Sequence, residues 1–186
     1  MPHKETPLKL IILDRDGVIN QDSDEYVKSV DEWIALPGSI EAIAMLSKAG
    51  YKIHVATNQS GLARGYFTED TLSKMHDKML RLVNEAGGEI QSIKFCPHGP
   101  DDNCKCRKPD AGMFEEIASD LKLDDLAGSF TVGDSGRDLI AGSKLRSAPV
   151  LVKTGKGERT IAKGDMPANT IIFDDLISFA QHLLSS

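Results

Sequence analysis

The chain has 186 residues, 40% hydrophobic and 27% charged, with a formal net charge of −6. This size fits one globular domain spanning residues 1–186. The acidic balance disfavours a nucleic-acid partner, whose polyanion is bound largely through basic side chains, but leaves room for a small phosphorylated substrate held by a few local cations. No apolar run approaches the ~20 residues of a membrane span, and the polar residues 1–8 lack the apolar core of a signal peptide.

The first apolar run, residues 8–13, lacks solvent-facing alternation, as in a buried strand of a parallel sheet. After Pro37-Gly38, Ile40, Ile43, Leu46 and Ala49 recur at helical spacing, and Gly50 closes that helix. Residues 51–56 form a second strand. Thr68 opens a helix carrying Leu72, Met75, Met79, Leu82 and Val83, stopped at Gly87-Gly88. A third strand covers residues 90–95; a cysteine-rich loop follows, then a helix through Met113, Phe114, Ile117 and Leu121. Strand 130–132, helix 137–145, strands 149–152 and 170–173 and helix 174–184 complete the series. The Gly- and Lys-rich residues 154–168 are expected to be a surface loop. Strands alternating with helices predict an α/β, Rossmann-like domain with a central parallel sheet flanked by helices. Ligands then bind beyond the carboxyl ends of the strands.

Polar residues follow the apolar runs at just those ends. After the first strand comes Asp14-Arg15-Asp16-Gly17. Two carboxylates spaced i, i+2 can point into one site where Gly17 permits a tight turn, one as nucleophile and one to move protons. Their repulsion calls for a cation, and hard oxygen ligands suit Mg²⁺. A plain turn with an acidic edge is the alternative for this tetrapeptide alone. After the second strand, Thr57-Asn58-Gln59-Ser60 offer hydrogen-bond donors to phosphate oxygens. After the third, Arg107-Lys108-Pro109 places two cations before a helix. After the fourth comes Gly133-Asp134-Ser135-Gly136-Arg137-Asp138. Four such elements at four strand ends are hard to ascribe to chance.

Cys96, His98, Cys104 and Cys106 supply three sulfurs and one nitrogen within eleven residues. Four such ligands close a tetrahedral structural Zn²⁺ site, and a clustered odd count of cysteines suits a reducing compartment, with the cytoplasm as the default. Buried free thiols beside an incidental histidine are the plainer alternative. His3, His54, His76 and His182 lack such company and are expected at the surface or in packing. Zinc would fix the loop that delivers Arg107 and Lys108. Arg107, planar and bidentate, suits a second phosphate or other anionic group of the substrate, with a surface ion pair as the plainer alternative. Asn20, Asp22 and Glu25 could meet sugar hydroxyls. The size and the lack of a long apolar surface stripe favour a monomer.

Asp14-Arg15-Asp16-Gly17, Thr57, Lys108 and Gly133-Asp134 with Asp138 resemble, in order, the four motifs of the haloacid dehalogenase superfamily, over nearly the whole chain and without room for a large cap domain. The resemblance implies Asp14 as nucleophile and Asp16 as general acid, then base. It also implies Thr57 and Lys108 as the holders of the transferring phosphoryl, and Asp14, the Asp16 carbonyl and Asp134 as Mg²⁺ ligands. An aspartate at the second position, where a dehalogenase has an apolar residue, implies a phosphatase. Cys-Pro-His, then Cys-x-Cys-Arg-Lys-Pro, with Thr-Asn-Gln-Ser-Gly-Leu-Ala-Arg-Gly at residues 57–65, is similar to the D-glycero-D-manno-heptose 1,7-bisphosphate 7-phosphatases of ADP-heptose and lipopolysaccharide synthesis. The chain departs from many of them in a shorter insert, residues 99–103, and in Ser135 where Lys is usual. Histidinol-phosphate phosphatases share the zinc loop and are the enzymatic alternative. A non-catalytic, zinc-stabilised binding protein is the alternative from another class, though it would need no second aspartate at Asp16.

Overall fold

A computed structural model describes residues 8–185; the polar N-terminal stretch up to Thr6-Pro7 and His3 lie outside the described residues. The elements are β1 (Leu10–Leu13), α1 (Ser39–Lys48), β2 (Lys52–Asn58), α2 (Glu69–Glu85), β3 (Ser92–Cys96) and α3 (Gly112–Asp120). They continue as β4 (Phe130–Gly133), α4 (Gly136–Ser143), β5 (Ala148–Val152), α5 (Gly157–Lys163), β6 (Ile171–Phe173) and α6 (Leu176–Leu184). The strands form one six-stranded sheet in the order β3-β2-β1-β4-β5-β6. Every neighbouring pair is parallel.

β1 shows why the sheet needs helices on both faces. Its four residues are all buried, and successive side chains point to opposite sides. Ile11 and Leu13 pack into the core with α1, α2 and α6, through Ile43, Met75, Met79 and Phe179. Leu10 and Ile12 pack with α3 and α4, through Phe114, Ile117 and Ala141. The two cores lie on the two faces of one sheet, as the alternation of strands and helices predicts. No helix among the described residues is long and apolar enough to cross a membrane.

Two details differ from the sequence reading. Parallel pairing continues to Thr57↔Phe95 and Asn58↔Cys96, so Thr57 and Asn58 end β2 rather than following it. Residues 154–168 are not simply a surface loop: α5 lies inside them, with Gly157 and Thr160 buried. This helix has no apolar periodicity to betray it. It is held to the site by polar contacts, since Thr160 Oγ1 donates to Asp134 O at 2.7 Å and, in the turn leading into the helix, Thr154 Oγ1 donates to Gly17 O at 2.6 Å.

Candidate active site

The carboxyl ends of β1, β2 and β4 converge on a cleft of about 280 Å³, lined by Asp14, Asp16, Thr57, Lys108 and Asp134 among others. Asp14 N donates to Val132 O at 3.0 Å, continuing the β1–β4 pairing one residue past the strand. The chain then curls: Arg15 O accepts from the amides of Val18, Ile19 and Asn20, and Gly17 N donates to Asn20 O at 2.8 Å. Gly17 sits at φ +86°, and a Cβ there would lie 2.0 Å from Asp134 Oδ2. Both facts require glycine at the place where β1 and β4 present their acids.

Lys108 is 2% exposed and its ammonium is fully used. Nζ lies 3.0 Å from Asp14 Oδ1 and 2.7 Å from Asp138 Oδ1, and donates to Ala56 O at 2.7 Å. Burial opposes its charge, but Asp138 and Asp14 more than compensate and raise its pKa, so it stays protonated. Asp14 is pushed up to about 7, by burial first and then by the Asp138 charge, with Lys108 pulling the other way. Asp134 is also raised well above the usual carboxylate range, by burial and then by Asp14 and Asp138.

Carboxylate oxygens of Asp14, Asp134 and Asp138 lie within 4.8 Å of one another. Four carboxylates face this centre, Asp14, Asp16, Asp134 and Asp138, against two buried cations, Arg15 and Lys108. The two negative charges left over, on hard oxygen donors, fit one divalent cation such as Mg²⁺.

Asp16 differs from its neighbours. Burial alone would raise its pKa, but the Arg15 charge and hydrogen bonds from Asn20, Arg15 and Gln59 bring it below the usual carboxylate range. Asn20 therefore serves Asp16, donating to Oδ1 at 2.8 Å, and is too buried to meet a sugar. Glu25 is exposed and lies outside the cleft lining, whereas Asp22 lines it and pairs with Lys156 at 3.7 Å.

The donors after β2 are partly committed within the protein. Asn58 Oδ1 accepts from Lys108 N at 3.0 Å and its Nδ2 donates to Lys108 O at 3.3 Å. Gln59 Nε2 donates to Thr57 Oγ1 at 3.0 Å and to Asp16 Oδ2 at 3.2 Å. Asn58 and Gln59 thus brace other site residues; Thr57 Oγ1 keeps only a long donation to Asn58 O at 3.5 Å, and Ser60 and Arg107 line the cleft beside it. Arg107 makes one long contact, Nη1 to His98 O at 3.4 Å.

Cys96, Cys104 and Cys106 place their sulfurs within 4.8 Å of one another, with Cys96 Sγ 3.6 Å from Cys104 Sγ. Three converging thiols fit a soft cation of zinc type. The His98 ring is not part of that group. Both ends of the cluster touch the site, since Cys96 pairs with Asn58 across the sheet and Cys106 precedes Arg107.

Two participants, Arg15 and His76, have no signal in the sequence for their role; Asp138 stands in the fourth motif, but only the fold reveals it as the second carboxylate at Lys108. Arg15 and His76 meet across 61 residues of sequence, and His76 sits in α2 at helical spacing among core residues.

The profile of a family described as Polynucleotide kinase 3 phosphatase matches residues 9–165. A relative from Pseudomonas putida, named D-glycero-beta-D-manno-heptose-1,7-bisphosphate 7-phosphatase, is 55% identical over 177 residues, covering 95% of this chain and all of its own. The crystal structure of the D,D-heptose 1,7-bisphosphate phosphatase from Bordetella bronchiseptica, complexed with magnesium and phosphate, superposes with a TM-score of 0.92 at 55% identity, covering 95% of this chain and 98% of its own. A haloacid dehalogenase-superfamily hydrolase from Ehrlichia chaffeensis shares the fold, with a TM-score of 0.62 at 12% identity.

Proposed function

The chain belongs to the D-glycero-β-D-manno-heptose-1,7-bisphosphate 7-phosphatase family and is a phosphatase; on that premise we propose that it removes the 7-phosphate of a heptose 1,7-bisphosphate through a phosphorylated Asp14. The observation that carries this reading is Lys108 Nζ seated between Asp14 and Asp138, with Asp134 alongside. It is an ammonium fixed against a carboxylate, and with a divalent cation it supplies the positive charge that a phosphoryl group in transfer requires.

Asp14 attacks phosphorus and the bond from phosphorus to the sugar oxygen breaks, leaving the phosphoryl on Asp14. Lys108, whose contact to Asp14 Oδ1 passes to the phosphoryl group as Asp14 attacks, and the Thr57 hydroxyl hold the equatorial oxygens. Asp16 gives a proton to the departing sugar alkoxide, then takes one from the water that attacks the phosphorylated Asp14, so that phosphate leaves, Asp14 regains its carboxylate and Asp16 its proton. The hydrogen bonds around Asp16 keep it ionised in the free protein, ready for the second step. An incoming phosphate raises its pKa by like charge and supplies the condition for the first. Mg²⁺, held by Asp14, Asp134 and the Asp16 carbonyl, would add positive charge against the transferring group.

Arg107 would take the second phosphate, and Zn²⁺ on Cys96, Cys104 and Cys106 would stiffen the loop that carries Arg107 and Lys108. We place the enzyme in the cytoplasm. Phosphate release from a panel containing heptose 1,7-bisphosphate, simpler sugar phosphates and histidinol phosphate tests the substrate. The bisphosphate should show the highest kcat/KM; a preference for histidinol phosphate would contradict the reading.

A further inference from the structure

Arg15 is completely buried, an expensive position for a guanidinium unless it is paired. Its Nε and Nη2 both donate to Asp16 Oδ1, at 3.0 and 2.8 Å. Its Nη1 lies 3.2 Å from His76 Nε2. Arginine has five donors and no acceptor, so His76 must offer a lone pair at Nε2 and carry its proton on Nδ1. Burial, reinforced by the Arg15 charge, holds the imidazole pKa down at about 4, in keeping with that neutral tautomer.

The contacts at Asp16 are asymmetric. Oδ1 accepts from Arg15 twice and from Asn20 once, whereas Oδ2 accepts only from Gln59, at 3.2 Å. An oxygen with three donors has no lone pair left for a fourth partner, so Oδ2 is the one free to exchange a proton. Arg15 cannot reach substrate itself, and its only acidic partner is Asp16 among the described residues. If stability alone were at stake, an apolar side chain would serve this buried position as well.

We propose that Arg15 and His76 form a buried positioning unit for Asp16, in which neutral His76 on α2 orients the guanidinium and the guanidinium turns Asp16 Oδ2 toward the reacting phosphate. The unit rests on the assignment of Asp16 as acid and base. It ties α2, on one face of the sheet, to proton transfer at the strand ends.

The test compares His76→Leu, His76→Gln, Arg15→Lys and Asp16→Asn on an alkyl substrate, the sugar bisphosphate, and on p-nitrophenyl phosphate, whose leaving group needs little protonation. His76→Leu removes the acceptor and should lower kcat on the alkyl substrate by about ten- to a hundredfold, with KM little changed and a smaller loss of phosphorylation rate on the aryl substrate. His76→Gln keeps an acceptor oxygen for Nη1 and should restore most of the loss. Arg15→Lys keeps the charge without the fork and should show the same dependence on leaving group. Equal losses in His76→Leu and His76→Gln, or losses independent of leaving group, would overturn the unit. If His76→Leu fails to fold, Arg15→Lys decides by the same criterion. An Asp16→Asn loss that ignores the leaving group would overturn the role of Asp16 and the unit with it. A leaving-group-dependent loss in Asp16→Asn but not in Arg15→Lys would overturn the unit alone.

Discussion

Asn58 holds the backbone of Lys108 on both sides, its Oδ1 accepting from Lys108 N at 3.0 Å and its Nδ2 donating to Lys108 O at 3.3 Å. A side-chain amide here imitates the pairing a neighbouring strand would offer, and it fixes the origin of the cation that touches Asp14. Asn58→Ala should therefore lower kcat by about tenfold or more through displacement of Lys108, with a modest change in melting temperature. Steady-state kinetics beside thermal unfolding checks this. Unchanged kcat in a folded variant would remove Asn58 from the account.

Arg107 makes only the long contact to His98 O and faces the cleft. If it meets the second phosphate, Arg107→Ala loses a charge-assisted hydrogen bond of ~1.5–3 kcal/mol, and kcat/KM on the bisphosphate should fall by about one to two orders of magnitude. A monophosphate without the distal anion should be hydrolysed almost equally by both proteins. Equal damage on both substrates would instead assign Arg107 to the reacting phosphate or to the loop.

Much of the site was legible because its chemistry is local. Asp14 and Asp16, Thr57 and Asp134 each stand beside a strand end, where a short apolar run announces them, and Lys108 follows β3 by way of the cysteine loop. The hidden parts depend on partners distant in sequence. His76 falls between Leu72, Met75 and Met79 in α2 and looks like a core position, because only folding puts Arg15 beneath it. Asn58 offers the same donors to a phosphate as to a backbone 50 residues away. The helix α5 was invisible for a related reason: its anchors are Asp134 and Gly17, not an apolar stripe of its own.

The cysteine cluster predicts one tightly bound zinc per chain when the protein is purified without chelator. Mild chelation should abolish activity that added Mg²⁺ restores, while the zinc remains. Removal of zinc under stronger chelation should lower the melting temperature, because metal binding and loop folding are coupled. Elemental analysis and thermal unfolding read both. Absence of zinc, or a disulfide among Cys96, Cys104 and Cys106, would contradict the assignment.

Asp14, pushed up to about 7, and Asp134, raised with it, make metal binding pH-dependent. Their folded-state pKa values exceed the unfolded ones, so in metal-free protein their contribution to stability is present at low pH and lost as pH rises, that of Asp14 as pH passes through about 7. Mg²⁺ requires the ionised carboxylates and reverses the trend. The rise in melting temperature on adding Mg²⁺ should be small below about pH 7 and larger above it. A rise independent of pH would contradict the metal's placement at Asp14 and Asp134.

The central claim is that phosphate passes through Asp14. Its most direct test is mass spectrometry of Asp16→Asn protein quenched during turnover of p-nitrophenyl phosphate with Mg²⁺. That variant should still transfer the phosphoryl group to Asp14, because the leaving group needs little help, yet hydrolyse the adduct slowly, by about a hundredfold or more. The account predicts a mass gain of one phosphoryl group, mapped to the peptide containing Asp14 and absent from Asp14→Asn protein. No adduct during turnover, or an adduct on another residue, would contradict it.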